Sequence, residues 1–372
     1  MLSPCISIDW LQIHVKIFSL ENLDAETSKN GTFRIVKKDI NHRVFNQHRS
    51  IESNLTGEYE QCAVISYKPL SGILPVDSGH LKIINKYLYQ TDLIRLLSAL
   101  LIELGLSFKS VSRLDVAADF KQFYKLSVPQ FFKRIINAKY LKLRSTSVHI
   151  DGTANRNLPV HYMRFGSKYS DVQFYIYNKS KELREKTKKP YIEDFWRNNG
   201  INPDTHDVWR LEFSLSPSSQ AIVNSDTGET IQFNDIRIVE HDFIHTLFYS
   251  LLNQYAVFVK NDGQVRKERM KKIILFKKSL QPQLYMRVSE KKTSNRMDKV
   301  FIRMLDELNR AWREHNKDPI AVEDALSQYI EERDLCQWYQ ERYNPKTKEN
   351  VNEFNYTDHV QQPAYLQKTT SS

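Results

Sequence analysis

Carboxylates, arginines and tyrosines recur at every second position in three separate stretches of this chain. In residues 112–120, SRLDVAADF, a strand's period of two sets Arg113, Asp115, Ala117 and Asp119 on one face and Leu114, Val116, Ala118 and Phe120 on the other. In residues 208–215, VWRLEFSL, Arg210, Glu212 and Ser214 share a face opposite Trp209, Leu211, Phe213 and Leu215. In residues 174–179, FYIYNK, Tyr175, Tyr177 and Lys179 point the same way. Side by side, such strands would gather carboxylates, phenols and cations on one sheet face. Two or three convergent carboxylates make a hard oxygen site for Mg²⁺ or Mn²⁺, and such an ion polarises a phosphate oxygen during in-line attack. A nearby phenolate is a competent nucleophile and a tolerable leaving group. A free phenol has a pKa of about 10, so the metal or a cation such as Lys179 must favour its deprotonation. These parts describe DNA strand transfer through a phosphotyrosine. Each stretch alone is equally what a solvated sheet face looks like, with cross-strand ion pairs worth about a few tenths of a kcal/mol. Tyr177 by itself is one tyrosine among 19.

Elements able to position these groups can be read around them. Residues 6–17 read as a strand, with Asp9 an unusual acid in its interior, and residues 60–67 read as another. Thr91 is placed to cap a helix whose stripe is Leu93, Leu96, Leu97, Leu100, Leu101 and Leu104, stopped by Gly105. Residues 128–138 form a second helix, with Ser127 as cap and Pro129 in its first turn. Strand-like runs follow at 158–165, 172–177 and 208–215. Residues 243–259 are apolar at helical spacing, residues 266–278 suggest a basic helix, and 298–312 and 320–338 carry further helical stripes. The fold class expected is therefore α+β: a mixed or antiparallel central sheet flanked by helices, then a helical C-terminal region. The domain reading is 1–235 for the sheet domain, 236–342 for a helical accessory region that binds DNA, and 343–372 for a polar, disordered tail.

Composition narrows the classes. The 372 residues hold 54 Lys and Arg against 44 Asp and Glu, a net charge of +10 that suits a polyanionic partner. Glycine numbers only 10, where ordinary usage of about 7% would give about 26, and no glycine-rich nucleotide loop is present. Cys5, Cys62 and Cys336 lie too far apart for a disulfide framework or a thiolate zinc site, which points to a reducing compartment. The start lacks a basic segment followed by an apolar core, and the most apolar run, 93–106, is broken by Arg95 and Glu103. A soluble, cytoplasmic protein with no membrane partner is expected.

The three stretches, in this order, resemble blocks of the Rep_trans family, the rolling-circle replication initiators of small plasmids. SRLDVAADF is similar to its Arg-Leu-Asp-x-x-x-Asp block. RFGSKYSDVQFYIYNKSKE, residues 164–182, is similar to the block that holds the nucleophilic tyrosine, and VWRLEFSL to its Trp-Arg-Val/Leu-Glu strand. Weaker likeness at Ile8-Asp9-Trp10 and near Arg266 extends the resemblance over roughly residues 6–280. It implies a divergent HUH-endonuclease-like fold and a site-specific nick at origin DNA, single-stranded, hairpin or supercoiled. Tyr177 would attack, keep the 5′ end as a phosphotyrosine and release a 3′-hydroxyl primer. Asp115 and Glu212 would hold the metal, with Asp9 or Asp119 as a weaker third ligand. A host helicase and a homodimer are the partners implied. Relaxases for mobilisation share these blocks, and a non-catalytic DNA-binding module would present the same face. The sequence departs from the family at Tyr175, where arginine is usual; Tyr175 could share the nucleophile's role or pack against DNA.

Other cations belong to the DNA expectation: Lys179, Arg113 and Arg210 around the site, and Arg266, Lys267 and Arg269 in the basic run. A second cluster, Lys179, Lys181, Arg184, Lys186, Lys188 and Lys189, follows the tyrosine directly. His241 and His245 are four apart, but without an HExxH glutamate they read as an ordinary histidine pair.

Overall fold

The strands of the computed structural model are β1 (Cys5–Ile17), β2 (Phe33–Lys37), β3 (Phe45–Ser53), β4 (Glu60–Pro69), β5 (Ser78–Ile83), β6 (Leu106–Phe120), β7 (Tyr140–Lys142), β8 (Val148–Asp151), β9 (Tyr162–Phe165), β10 (Val172–Asn178), β11 (Trp209–Leu215), β12 (Gln220–Asn224), β13 (Thr230–Gln232), β14 (Phe258–Lys260), β15 (Lys272–Ile273) and β16 (Tyr285–Ser289). The helices are α1 (Glu21–Asp24), α2 (Asn85–Gln90), α3 (Leu93–Glu103), α4 (Val128–Ile136), α5 (Lys179–Glu185), α6 (Pro190–Asn198) and α7 (His241–Tyr255). Residues 4–289 are described, apart from 29–30, 39–43, 55–56, 71–73, 91, 144–147, 152–159, 167–169, 171, 187, 217–219, 225–227, 229, 265 and 278–284. The chain divides into two units, Met1–Lys292 and Thr293–Ser372. The helices expected at 298–312 and 320–338, and the tail from 343, lie outside the described residues.

Ten strands form one sheet in the order β2-β3-β4-β5-β1-β6-β11-β10-β9-β8, and all its neighbours run antiparallel. The antiparallel α+β expectation therefore holds. Alternation is the cause. Leu11, Ile13 and Val15 of β1, Leu114, Val116 and Ala118 of β6, Leu211 and Phe213 of β11, and Phe174 and Ile176 of β10 all point to one face and are buried together. Fully burying each such aliphatic or aromatic side chain contributes roughly 1.5–3 kcal/mol. Helices α3, α4 and α7 add Leu96, Leu97, Leu100, Phe131, Phe132, Leu247 and Phe248 to that same core.

Residues 93–103 are helical as predicted, but the cap is Asp92, whose carboxylate accepts from the Arg95 amide at 3.2 Å. Gly105 ends the turn at φ +66°, and a Cβ there would stand 2.8 Å from the Asn22 side chain. The basic helix expected at 266–278 does not form. Residues 267–269 make a single 3₁₀ turn, and Lys272–Ile273 pairs with β14 instead. Met270, Leu275 and Phe276 of that stretch are buried, and pairing with β14 rather than a helical turn sets its backbone. In the region expected to be helical from 236, the described residues hold one long helix, α7, together with short strands.

On the opposite, polar face lies a second, smaller core. Cys5, Leu183, Ile192, Trp196, Ile201 and Val208 are buried there, with Tyr89, Tyr191 and Phe195 packed against them. Helices α2, α5 and α6 thus seal one end of the polar face. The register between β1 and β6 shifts between Ile8 and Trp10, so that one extra residue, Asp9, bulges from the strand.

Candidate active site

Register brings the three sequence stretches together. Strand β11 lies between β6 and β10, with Arg210 opposite Asp119, Ser214 opposite Asp115, Tyr175 opposite Glu212 and Tyr177 opposite Arg210. Asp115 and Glu212 are therefore diagonal neighbours on adjacent strands, on the face that carries both tyrosines. The Tyr177 hydroxyl donates to Glu212 Oε2 at 2.7 Å. Both residues are half-buried. Burial, and next the Glu212 charge, hold the Tyr177 phenol well above its ordinary value, with Arg210 opposing them. Burial also pushes the Glu212 carboxyl up to about 7, helped by the charges of Asp9 and Asp115. Tyr175 donates its hydroxyl to Gln173 on its own strand. Burial raises its phenol first, then the charges of Glu212 and Asp115.

Asp115 is buried, at 2% exposure. It receives Arg113 Nε at 3.1 Å and Nη2 at 2.6 Å, and the Ser214 hydroxyl also donates to it. Burial raises its carboxyl while Arg113 pulls the other way.

The sealed end of the face behaves differently. Arg210 is fully buried, at 0% exposure. Its Nε and Nη2 each donate to Asp119 at 2.6 Å. Nη1 donates to Asp9, and Nη2 also reaches the Tyr89 hydroxyl at 2.8 Å. Trp196 Nε1 donates to Asp119 at 2.7 Å, and Tyr89 donates to Asp9 at 2.7 Å. Burial opposes ionisation of Asp9, but Arg210 and the neighbouring Lys179 outweigh it and hold its carboxyl well below the usual range. The expectation that Arg210 grips phosphate is thus corrected: the side chain is locked inside the protein between two acids. Lys179 is corrected in the same way, because its side chain is 3% exposed and Nζ bonds Glu182 at 2.7 Å. It does stand 5.5 Å from the Tyr177 ring, as a cation beside the phenol. Arg113 keeps 42% side-chain exposure. Arg266 and Arg269 are exposed and Lys267 half-buried, all on the short turn at 266–269. In the cluster after Tyr177, Arg184 pairs with Asp207 at 3.1 Å. His241 and His245 stack loosely, with centroids 6.3 Å apart.

The weaker ligand candidates, Asp9 and Asp119, both serve Arg210. Among the described residues, no group of three or more His, Cys, Asp or Glu side chains is arranged to hold a metal ion. Sequence reasoning missed Tyr89, Trp196 and Asn85, whose Nδ2 lies 3.3 Å from Asp9 Oδ1. Tyr89 carries no pattern that separates it from the other tyrosines. Trp196 stands on a helix that only the tertiary fold brings over the sheet.

No protein family matches the chain, and no curated protein does. Among solved structures, the chain is similar to a rolling circle replication initiator protein from Geobacillus stearothermophilus. The two share 15% identity over 73% of this chain and 93% of that one, with a TM-score of 0.44. A likeness of that size bears on neither the details of the fold nor its function. Among the described residues, no helix is long and apolar enough to cross a membrane.

Proposed function

We propose that this chain nicks and rejoins DNA through Tyr177 and so starts rolling-circle replication. The observation that carries the reading is the phenol of Tyr177 donating to Glu212 at 2.7 Å on the face that also presents Asp115. In that geometry the phenol oxygen attacks a backbone phosphorus, and the Glu212 carboxylate takes the phenol proton. With no ion bound, that carboxyl stands at about 7, which suits it to take a proton near neutral pH; an ion on its other oxygen would lower it. The bond between phosphorus and the 3′-oxygen breaks, the 3′-oxygen takes up a proton, and the 5′-phosphate stays on the tyrosine. Reversal of the same step rejoins the strand. Lys179, 5.5 Å from the ring, favours the charged phenolate as it forms.

Asp115 and Glu212 are the residues that would hold Mg²⁺ or Mn²⁺. The Asp115 charge helps to raise the Glu212 carboxyl, and a cation beside the two would relieve it. Mg²⁺ commonly takes only one or two protein carboxylates, with substrate phosphate and water completing the shell. Such an ion would polarise the scissile phosphate and offset charge in the in-line attack. A third ligand at Asp9 or Asp119 does not fit, since Arg210 holds both.

The test incubates the full chain with supercoiled DNA carrying the sequence around its own gene, in Mg²⁺ or Mn²⁺. The wild type is expected to give open circles and a covalent protein–DNA adduct that survives detergent. Tyr177→Phe should give neither, since the attacking oxygen is gone. Full nicking by Tyr177→Phe with loss in Tyr175→Phe would move the nucleophile by two residues. No adduct from the wild type with any DNA would end the reading.

A further inference from the structure

Beside the site, on the same polar face, two cations meet around one ring that carries a donor of its own. Trp10 follows the Asp9 bulge and pairs with Asp115 across β1 and β6. Strands β5 and β6 flank β1, and each sends a cation to the indole. Lys82 Nζ lies 3.4 Å from the ring centroid and Arg113 Cζ lies 4.3 Å from it. Gln12, two residues along the same face, is opposite both Lys82 and Arg113, so the cations belong to one cross-strand row. We propose that Lys82, Arg113 and Trp10 form a subsite that holds a backbone phosphate of single-stranded DNA next to the bond cleaved at Tyr177. It rests on the nicking reading for its place beside a scissile bond, while the anion affinity stands on its own geometry.

Each donor has capacity left over. Lys82 is half-buried and, among the described residues, pairs with no carboxylate. Burial disfavours its charge, and Arg113, Lys189 and Lys38 add to the repulsion, while the nearby carboxylate Asp115 is taken up by Arg113. Arg113 spends Nε and one Nη2 hydrogen on Asp115, which leaves Nη1 and the other Nη2 hydrogen of its five donors. The indole Nε1 of Trp10 is buried with no acceptor among the described residues. The oxygens of a phosphate supply acceptors for the N–H groups these three have to spare. Basic groups placed beside aromatic side chains are also what proteins use to track the backbone of a single strand.

The experiment measures binding of a fluorescein-labelled single-stranded oligonucleotide by anisotropy across a salt series. It uses the full chain carrying Tyr177→Phe, so that no strand is cut. Adding Lys82→Gln is expected to weaken binding roughly threefold to tenfold and to reduce the slope of log K against log salt by about 0.7, one phosphate contact on a single strand. Lys133→Gln, the same charge change on an exposed residue of α4 across the sheet, is the control and should leave the slope unaltered. Trp10→Leu, which changes no charge, should weaken binding with the slope nearly kept. Equal slope changes in the Lys82 and Lys133 variants would overturn the subsite, since net charge alone would explain them. Adduct formation by the wild-type chain, measured alongside, separates the two ideas. A wild-type adduct with an inert Lys82 sinks the subsite only. A Lys82 effect where the wild type never forms an adduct keeps the phosphate contact and sinks the nicking.

Discussion

Replacing Arg210 with methionine tests how the face is divided between a sealed end and an open one. The side chain is fully buried, and it supplies two hydrogen bonds to Asp119, one to Asp9 and one to Tyr89. Methionine fills a similar length but leaves Asp119, itself 0% exposed, with only the Trp196 N–H donating to it among the described side chains. Removing one partner of a buried ion pair costs about 3–5 kcal/mol, because the stranded charge is no longer compensated. At roughly 2–4 °C per kcal/mol for a unit of this general size, the melting temperature should fall by on the order of 10 °C. Thermal melts and urea titrations of the full chain measure it, with the urea slope expected to hold if the folded surface is kept. Adding Asp119→Leu should restore much of the loss, since a matched apolar pair replaces the ions. A melting temperature unchanged to within about 2 °C, together with weaker and less salt-dependent DNA binding, would refute the reasoning and return Arg210 to the DNA contacts.

Two further outcomes follow from local geometry. Gly105→Ala is expected to destabilise by about 1–2 kcal/mol, since alanine must adopt a left-handed conformation and displace Asn22; an unchanged urea midpoint would contradict the turn described here. Asp207 accepts from Asn178 at 2.8 Å and from Arg184, and its carboxyl lies below its usual value although burial works against this. A depressed carboxyl stabilises above its unfolded pKa and loses that contribution as pH falls through the folded one. The gap in urea midpoint between wild type and Asp207→Asn should therefore be widest near neutrality and close in acid; a constant gap would count against it.

The face that holds Asp115, Glu212 and Tyr177 was legible because a strand's period is two and each stretch kept it, the third as far as Asn178, where Lys179 opens α5. The same alternation could not tell which end of the face is covered. That depended on α2 and α6, whose Tyr89 and Trp196 meet Asp9 and Asp119 from 80 and 77 residues away in the chain. Hence Arg210 and Lys179 read as outward cations from the sequence and proved to be interior ones. Strand β3, FNQHRSIES, escaped notice because Gln47 and Arg49 interrupt the apolar positions between Phe45 and Ile51. The oddity of an acid inside β1 was visible, but its resolution needed the register, which only pairing with β6 supplies.

The bulge at Asp9 makes the first strand a phasing device. Cys5, Ser7 and Trp10 can all look toward the polar side only because one peptide too many sits between Ile8 and Trp10. Loss of a single codon there would not merely remove a carboxylate. It would leave the segment before the bulge out of step with the rest, turning Cys5 and Ser7 toward the large core and Ile6 and Ile8 away from it. This strand should therefore accept many substitutions more readily than any change in its length.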